Sequence, residues 1–156
     1  MEHKKIVDRS NIKEIISGLK NKGKKVVFTN GCFDILHVGH IRYLSETKKM
    51  GDILVLGLNA DESVSRIKPG RPVVSEADRA EVLSALSMID YIVLFHEDTP
   101  YELIKEVGPD VLVKGADWKK EDIVGNDLVK EVRTIEFVEG ISTSEIIRRI
   151  QNLKGQ

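Results

Sequence analysis

Two histidines three positions apart are the residues of this sequence best suited to chemistry. His37 and His40 close the stretch TNGCFDILHVGH, which follows an apolar run, and the chain has only four histidines. Imidazoles donate hydrogen bonds to phosphate oxygens, and a helix N-terminus adds free N–H groups and a partial positive charge. Gly39 between them allows a large ligand to approach the backbone. The spacing therefore predicts an anion site at the start of a helix.

Two other interpretations of the histidine pair stay open. Two imidazoles can bind a metal ion, although no HExxH motif accompanies them and no third ligand is evident. They can also be structural residues whose hydrogen bonds are satisfied within the fold. The remaining histidines, His3 and His96, are assigned no functional role.

Three hydroxyl residues in a row form a second candidate phosphate site. Ser142, Thr143 and Ser144 follow Gly140 in EGISTSEI and open the last predicted helix. Any one of them is explained as a helix cap. Three together, after a glycine and a strand, favour contact with phosphate.

Basic side chains supply further candidates. Lys114 ends an apolar run in LVKGADW, where it is either a solvated charge at the end of a strand or a phosphate ligand. Arg66 and Lys68 lie in a predicted loop and Arg79 on a predicted helix, so each is a surface charge unless the fold turns it towards the ligand. Cys32 has no base near it in sequence and is expected to pack as a small residue.

Strands and helices alternate along the chain, with no hairpin signals between the strands. This order predicts an α/β fold, a single doubly wound, Rossmann-like domain with a five-stranded parallel sheet and helices on both faces. Ligands of such sheets bind beyond the carboxyl ends of the strands, so the three motifs are expected to converge. The predicted strands are 25–29, 52–59, 91–95, 110–115 and 134–138. The predicted helices are 11–22 with Ser10 as cap, 38–50, a short piece after 59, one from Ser75, one from Thr99 or Pro100 to 107, one around 126–132, and 142–153.

Composition excludes several classes of protein. The chain has 156 residues, a net charge of −1 and one cysteine, so neither a bulk nucleic-acid binder nor an intrachain disulfide is expected. The N-terminus lacks the apolar core of a signal peptide and no apolar run reaches membrane-spanning length, which predicts a cytoplasmic protein with no membrane partner. Neither GxxxxGK[ST] nor GxGxxG is present, so a nucleotide would be bound by another device.

The motifs together resemble the HxGH nucleotidyltransferases, relatives in fold of the class I aminoacyl-tRNA synthetases. GCFDILHVGH is similar to the first motif of that family and EGISTSEI to the second. Other blocks most resemble the adenylyltransferase half of the bifunctional heptose-phosphate enzyme of lipopolysaccharide assembly. These blocks are LNADESVSRIKPGRPVV, EDTPYELIKEVGPDVLVKGADW and IVGNDLVKE.

The resemblance implies a reaction and a division of labour in the site. AMP would pass from ATP to D-glycero-D-manno-heptose 1-phosphate, with Mg²⁺ bound mainly through the ATP phosphates and no dedicated protein metal ligand. His37 and His40 would stabilise charge on the reacting phosphate, and Ser142 to Ser144 would hold the outer phosphates. Arg66, Lys68, Arg79 and Lys114 would neutralise phosphates, and the loop charges Arg66, Lys68 and Arg71 would lie where the sugar phosphate docks. The nucleotide cleft would include Thr29, Asn30, Gly31, Cys32, Phe33, Asp34, Gly39, Gly115, Asp117 and Gly140, with Asp34 either orienting a histidine or anchoring the turn.

The resemblance also implies a homodimer, and a separate heptose 7-phosphate kinase acting earlier. Residues 1–24 would form an N-terminal helical extension and 25–156 the nucleotidyltransferase domain. Two other functions stay open. Glycerol-3-phosphate cytidylyltransferase usually carries an Arg-Thr pair where Phe137 and Val138 stand here, and a non-catalytic nucleotide-binding regulator could share the same cleft.

Overall fold

The computed structural model describes residues 4–153 and contains one sheet of five parallel strands. The strand order is β3-β2-β1-β4-β5, which confirms the predicted fold class. The strands are β1 Val26–Gly31, β2 Ile53–Asn59, β3 Tyr91–Phe95, β4 Val111–Gly115 and β5 Glu131–Ile135. The helices are α1 Arg9–Asn21, α2 Val38–Lys48, α3 Asp61–Ile67, α4 Glu76–Ser84, α5 Tyr101–Val107 and α6 Thr143–Asn152, with short 3₁₀ turns at Lys120–Asp122 and Asn126–Leu128.

The central strands are apolar because helices cover both faces of the sheet. Alternate residues of β1 belong to different cores: Val26 and Phe28 pack on one side, and Val27 packs on the other. All three have no exposed surface. Continuous apolar runs are typical of parallel strands buried on both faces, which is why the strands were visible in the sequence.

The strand order places the topological switch point between β1 and β4. From β1 the chain moves outward through β2 to β3, then returns to the other side of β1 with β4. The loops after β1 and β4 therefore diverge to opposite faces and leave a crevice above the carboxyl ends of the strands. TNGCFDILHVGH and LVKGADW border this crevice.

The edge strand β5 corrects two sequence predictions. It begins at Glu131 instead of residue 134, and the helix expected around 126–132 is only the 3₁₀ turn Asn126–Leu128. Every residue of β5 is at least partly exposed, and Glu131 and Arg133 lie on it. Charged residues are common on edge strands, so the polar sequence obscured the strand.

The N-terminal segment packs directly against the sheet. Ile12 and Ile16 of α1 are buried in the core, and Ile6 forms a parallel bridge with Ile92 of β3. The cap of α1 is Asp8, not Ser10, because the Asp8 carboxylate accepts the Ser10 N–H at 2.8 Å. The division into an extension at 1–24 and a domain at 25–156 stays a prediction. Residues 1–3, including His3, and 154–156 lie outside the described residues.

Candidate active site

A cleft of about 310 Å³ opens above β1 and β4, at the low end of the size range of ligand pockets. The sequence predicted that three motifs would meet at this edge of the sheet, and all three line the cleft. The predicted residues found there are Asn30, Gly31, Cys32, Phe33, Asp34, His37, Gly39, His40, Lys68, Lys114, Gly115, Asp117, Ser142, Thr143 and Ser144.

The two histidines stack on each other at the N-terminus of α2. Their ring centroids are 3.8 Å apart with an angle of 24° between the planes. The Gly39 N–H donates to His37 Nδ1 at 3.1 Å, and the His37 N–H donates to His40 Nδ1 at 3.4 Å. The histidines thus serve as the helix cap, a task usually done by Ser, Thr, Asp or Asn.

This capping fixes the tautomer of both imidazoles. Each Nδ1 accepts a hydrogen bond, so the proton of each neutral ring resides on Nε2. Within residues 4–153 neither Nε2 has a hydrogen-bond partner in the chain, so both Nε2–H groups are available to a ligand. The structural interpretation of the pair holds for one nitrogen of each ring, and the other nitrogen is free for a ligand.

The site keeps both imidazoles neutral in the absence of a ligand. Burial lowers the pKa of His37, and the pKa of His40 falls to about 4 because of burial first and of the neighbouring His37 and Lys68 charges second. An incoming phosphate would favour the protonated form by its opposite charge. The pair therefore offers neutral donors before binding and can gain charge from its ligand.

Phe33 packs against His40 in a backbone conformation that is uncommon for its residue type. Its φ is +46°, and its ring lies 5.1 Å from the ring of His40. Only Gly31 allows this arrangement, since a Cβ there would come within 2.8 Å of the Phe33 ring. Non-glycine residues in the left-handed region cluster at functional sites, where the surrounding structure supports the strain.

Two lysines reach the cleft without a partner in the chain. Neither the Lys68 ammonium nor the Lys114 ammonium makes a hydrogen bond or an ion pair within residues 4–153. Burial lowers the pKa of Lys114, and the neighbouring Cys32 and Asp117 only partly compensate. Lys114 is partly buried, and an unpaired, partly buried ammonium is costly unless a ligand supplies an anion. Lys68 is exposed and carries no such cost. Both lysines are placed as phosphate ligands would be.

Asp34 anchors a loop and does not orient a histidine. Its carboxylate accepts the N–H groups of Val73 and Val74 at 2.8–2.9 Å and contacts Arg71 at 3.3 Å. The hydrogen bonds lower the pKa of this carboxyl although burial opposes them. Of the two roles predicted for Asp34, the structure supports the anchoring one. Because Asp34 is occupied in this way, the carboxylate left unpaired in the cleft is that of Asp117, which is exposed.

The three hydroxyl residues at the start of α6 have different environments. Ser142 caps the helix by accepting the Glu145 N–H at 3.0 Å, and the Thr143 hydroxyl donates to Ile35 O at 3.2 Å. Ser144 accepts a hydrogen bond from Arg71. The backbone N–H groups of Thr143 and Ser144 have no partner in the described part of the chain, as expected for the first turn of a helix. They remain free to bind an anion.

Four predicted residues lie outside the cleft lining, and Arg79 is the clearest correction. Its guanidinium is fully buried and donates to the carbonyls of Val74, Cys32 and Asn59 and to the Asp61 carboxylate. It therefore supports the backbone beneath the cleft: four of its five N–H groups are engaged in these bonds, and Arg79 is not among the residues that line the cleft. Arg66 is paired with Glu62 and Asp98 on the surface. The remaining two are Thr29 and Gly140; the Thr29 hydroxyl donates to Val113 O at 2.9 Å.

Several lining residues were absent from the predicted site. These are Tyr43, Trp118, Phe137, Val138 and Ile141; Arg71, which was expected where the sugar phosphate docks, also lines the cleft. Tyr43 lies one turn after His40 on α2, and burial raises its pKa to about 12. Helical spacing from His40 was the signal that could have identified Tyr43. Trp118 and Phe137 follow the ends of β4 and β5 and are 49% and 62% exposed, so position after a strand was the available signal.

The fold and the site together define a class. A doubly wound sheet carries HxGH at the N-terminus of α2, and the hydroxyl-rich start of α6 and two lysines line the same cleft. This arrangement is suited to holding a nucleotide by its phosphates. The sequence model of the Cytidylyltransferase-like family matches residues 28–149. The chain belongs to this family, which confirms the predicted class, a nucleotidyltransferase.

Individual relatives narrow the class. "Bifunctional protein HldE" of Campylobacter concisus is 58% identical over 146 residues, covering 92% of this chain and 31% of the relative. The protein of the same name from Wolinella succinogenes is 54% identical over 148 residues, covering 94% of this chain and 31% of the relative. The chain thus spans about a third of the length of these curated relatives.

A solved structure supports the same family assignment. The crystal structure of the lipopolysaccharide core biosynthesis protein from Thermoplasma volcanium superposes with a TM-score of 0.63 at 36% identity, covering 74% of this chain and all of that one. The predicted resemblance to the heptose-phosphate enzyme of lipopolysaccharide assembly is confirmed at the level of relatives. In residues 4–153 no helix is long and apolar enough to cross a membrane.

Proposed function

We propose that this chain transfers AMP from ATP to D-glycero-D-manno-heptose 1-phosphate, releasing pyrophosphate and ADP-heptose. The observation that carries the proposal is the pair of stacked, tautomer-fixed histidines facing the free N–H groups of α6 across one cleft. The relatives of 52–58% identity named "Bifunctional protein HldE" support the choice within the family.

The chemistry requires positioning and charge stabilisation. An oxygen of the sugar phosphate attacks the α-phosphorus of ATP, the bond from that phosphorus to the bridging oxygen breaks, and pyrophosphate leaves with the electron pair. No protein nucleophile takes part, so preorganised donors supply the acceleration. The Nε2–H groups of His37 and His40 bind the reacting phosphate, and the start of α6 binds the outer phosphates. Lys68 and Lys114 offset the charge that two phosphate substrates bring together.

The residues fit a magnesium ion carried by the nucleotide. Among residues 4–153, no three His, Cys, Asp or Glu side chains form a cluster that could hold a metal ion. Mg²⁺ keeps waters and phosphate oxygens as ligands and needs few from the protein. When bound, it neutralises phosphate charge. Asp117, the unpaired carboxylate of the cleft, is the side chain that can face its hydration shell.

The test identifies the product by mass. Purified protein is incubated with Mg²⁺, with either ATP or CTP, and with either the heptose 1-phosphate or glycerol 3-phosphate. We expect ADP-heptose as the dominant product, and pyrophosphate in equal amount. CDP-glycerol as the main product would instead identify the chain as a glycerol-3-phosphate cytidylyltransferase. Nucleotide binding without any product would identify it as a non-catalytic regulator.

We propose further that two copies associate through α6. No residue of this helix is buried, and Ile146, Ile150 and Leu153 lie on one stripe at helical spacing. Ile150 and Leu153 are 53% and 62% exposed. A second copy would bury this stripe, and sedimentation should give twice the 17.5 kDa chain mass. Replacing Ile150 by Glu should yield the monomer, and a parent chain that sediments as a monomer would end this proposal.

The setting of the reaction follows from its substrates. We propose a cytoplasmic enzyme because ATP is a substrate, with a heptose 7-phosphate kinase acting before it. The acceptor already carries one phosphate at the anomeric carbon, so the reaction before it has to prepare a phosphorylated sugar. The word "bifunctional" in the names of the relatives is consistent with two such steps in one protein.

A further inference from the structure

Arg71 joins the two sides of the cleft. It lies in the loop between α3 and α4, where Nη1 contacts Asp34 Oδ2 at 3.3 Å and Nη2 donates to Ser144 Oγ at 3.1 Å. Asp34 belongs to the segment after β1 and Ser144 to the first turn of α6. A single side chain thus connects the histidine motif with the hydroxyl motif.

The guanidinium of Arg71 keeps unused binding capacity. It has five N–H donors, and these two contacts are the hydrogen bonds that it makes within residues 4–153. The contact with Asp34 is long, at 3.3 Å, and the same carboxylate also accepts two backbone N–H groups from Val73 and Val74. The side chain is only 15% exposed, so water replaces few of the missing partners.

We propose that Arg71 binds the outer phosphates of the bound nucleoside triphosphate, and that Asp34 and Ser144 hold it in place until the nucleotide arrives. The free N–H groups of Thr143 and Ser144 attract an anion to the start of α6. A phosphate bound there lies beside the Ser144 hydroxyl, where Nη2 of Arg71 already points. The guanidinium then exchanges a neutral hydroxyl for a charged oxygen, with the fork geometry that suits phosphate.

This contact would make the site selective for triphosphates over monophosphates. A nucleoside monophosphate has no outer phosphate, so it gains nothing from Arg71. The loop that carries Arg71 also carries Lys68, which lines the cleft. The inference rests on the proposed function only in taking ATP as the nucleotide.

The test compares the affinities for ATP and for AMP by titration calorimetry with Mg²⁺ and no acceptor. Because a hydrogen bond to a charged group contributes about 1.5–3 kcal/mol, Arg71→Ala should lower the affinity for ATP by roughly tenfold or more. Its AMP affinity should stay within about twofold of the parent. Arg71→Lys keeps the charge but loses the forked geometry of the guanidinium. It should lower the affinity for ATP severalfold and leave the affinity for AMP unchanged. Arg66→Ala is the matched control, since Arg66 is paired on the surface outside the cleft.

Two results would overturn the inference. One is an unchanged ratio of ATP to AMP affinity in both Arg71 variants. The other is an equal loss of ATP and AMP affinity, which would mean that Arg71 only supports the loop. If Arg71→Ala does not fold, the Lys variant decides by the same ratio. A parent chain that makes no ADP-heptose but binds ATP through Arg71 would overturn the proposed function and support this inference.

Discussion

Replacing Gly39 by Ala should displace the His37 ring while leaving the stability of the fold nearly unchanged. A Cβ built on Gly39 lies 2.9 Å from both Cε1 and Nδ1 of His37, whereas ordinary contacts begin at 3.4 Å. The ring of His37 therefore has to rotate until its distance from the new Cβ is about 0.5 Å longer. It then loses the hydrogen bond from the Gly39 N–H and its stacking on His40.

The expected effects on stability and on rate differ in size. Alanine in a helix gains up to about 1 kcal/mol over glycine. Losing the capping hydrogen bond costs about 1 kcal/mol, so the free energy of unfolding should hardly change. At roughly 2–4 °C per kcal/mol for a chain of this size, Tm should stay within a few degrees. The rate should fall by roughly 10²–10³-fold, as for the loss of one preorganised donor.

Pyrophosphate release with saturating ATP and heptose 1-phosphate measures the rate, and calorimetry measures Tm. Gly18→Ala is the matched control, because Gly18 lies in α1 and a Cβ there meets nothing within 4 Å. It should gain stability and keep full activity. A Gly39→Ala enzyme as fast as its parent would refute the reasoning that the ring position of His37 limits the rate.

Two other predictions concern buried charge. Arg79→Met should destabilise the fold by about 3 kcal/mol or more, since three buried carbonyls lose their donor; a normal Tm with lost ATP affinity would instead make Arg79 a ligand. For His40, the pKa of about 4 in the fold lies below the ordinary 6.5, so the unfolded chain binds the proton first. Stability should therefore fall as pH drops from 6.5 towards 4, and urea unfolding of His40→Gln should show a smaller fall between pH 6.5 and 5 than the parent; equal falls would contradict the assigned pKa.

The sequence was sufficient for the fold because the central strands are apolar on both faces. Runs such as VVF in β1 and YIVLF in β3 are recognisable without tertiary information, and the order of elements limits the topology. The edge strand β5 was misplaced because its charged residues, Glu131 and Arg133, interrupt the apolar run that marks the central strands. The sequence of one strand does not determine whether that strand lies at the edge or in the centre of the sheet.

Side-chain roles were harder to predict than side-chain positions. The histidines and Ser142 to Ser144 were found because motif and strand end coincide. Arg79 was misjudged because two of its carbonyl partners, Cys32 and Asn59, come from distant segments that the sequence does not bring together. Arg71 and the anchoring role of Asp34 depend on how one loop folds back over the cleft, and only the structure shows that contact.

The single-turnover rate of AMP transfer in His37→Ala and His40→Ala tests the central claim most directly. Enzyme in excess over radiolabelled ATP, with Mg²⁺ and saturating heptose 1-phosphate, reports the chemical step without product release. Loss of a transition-state donor predicts a rate roughly two to four decades below the parent, with Tm nearly unchanged. Rates within a few-fold of the parent in both variants would show that the two imidazoles only cap the helix, and would contradict the account.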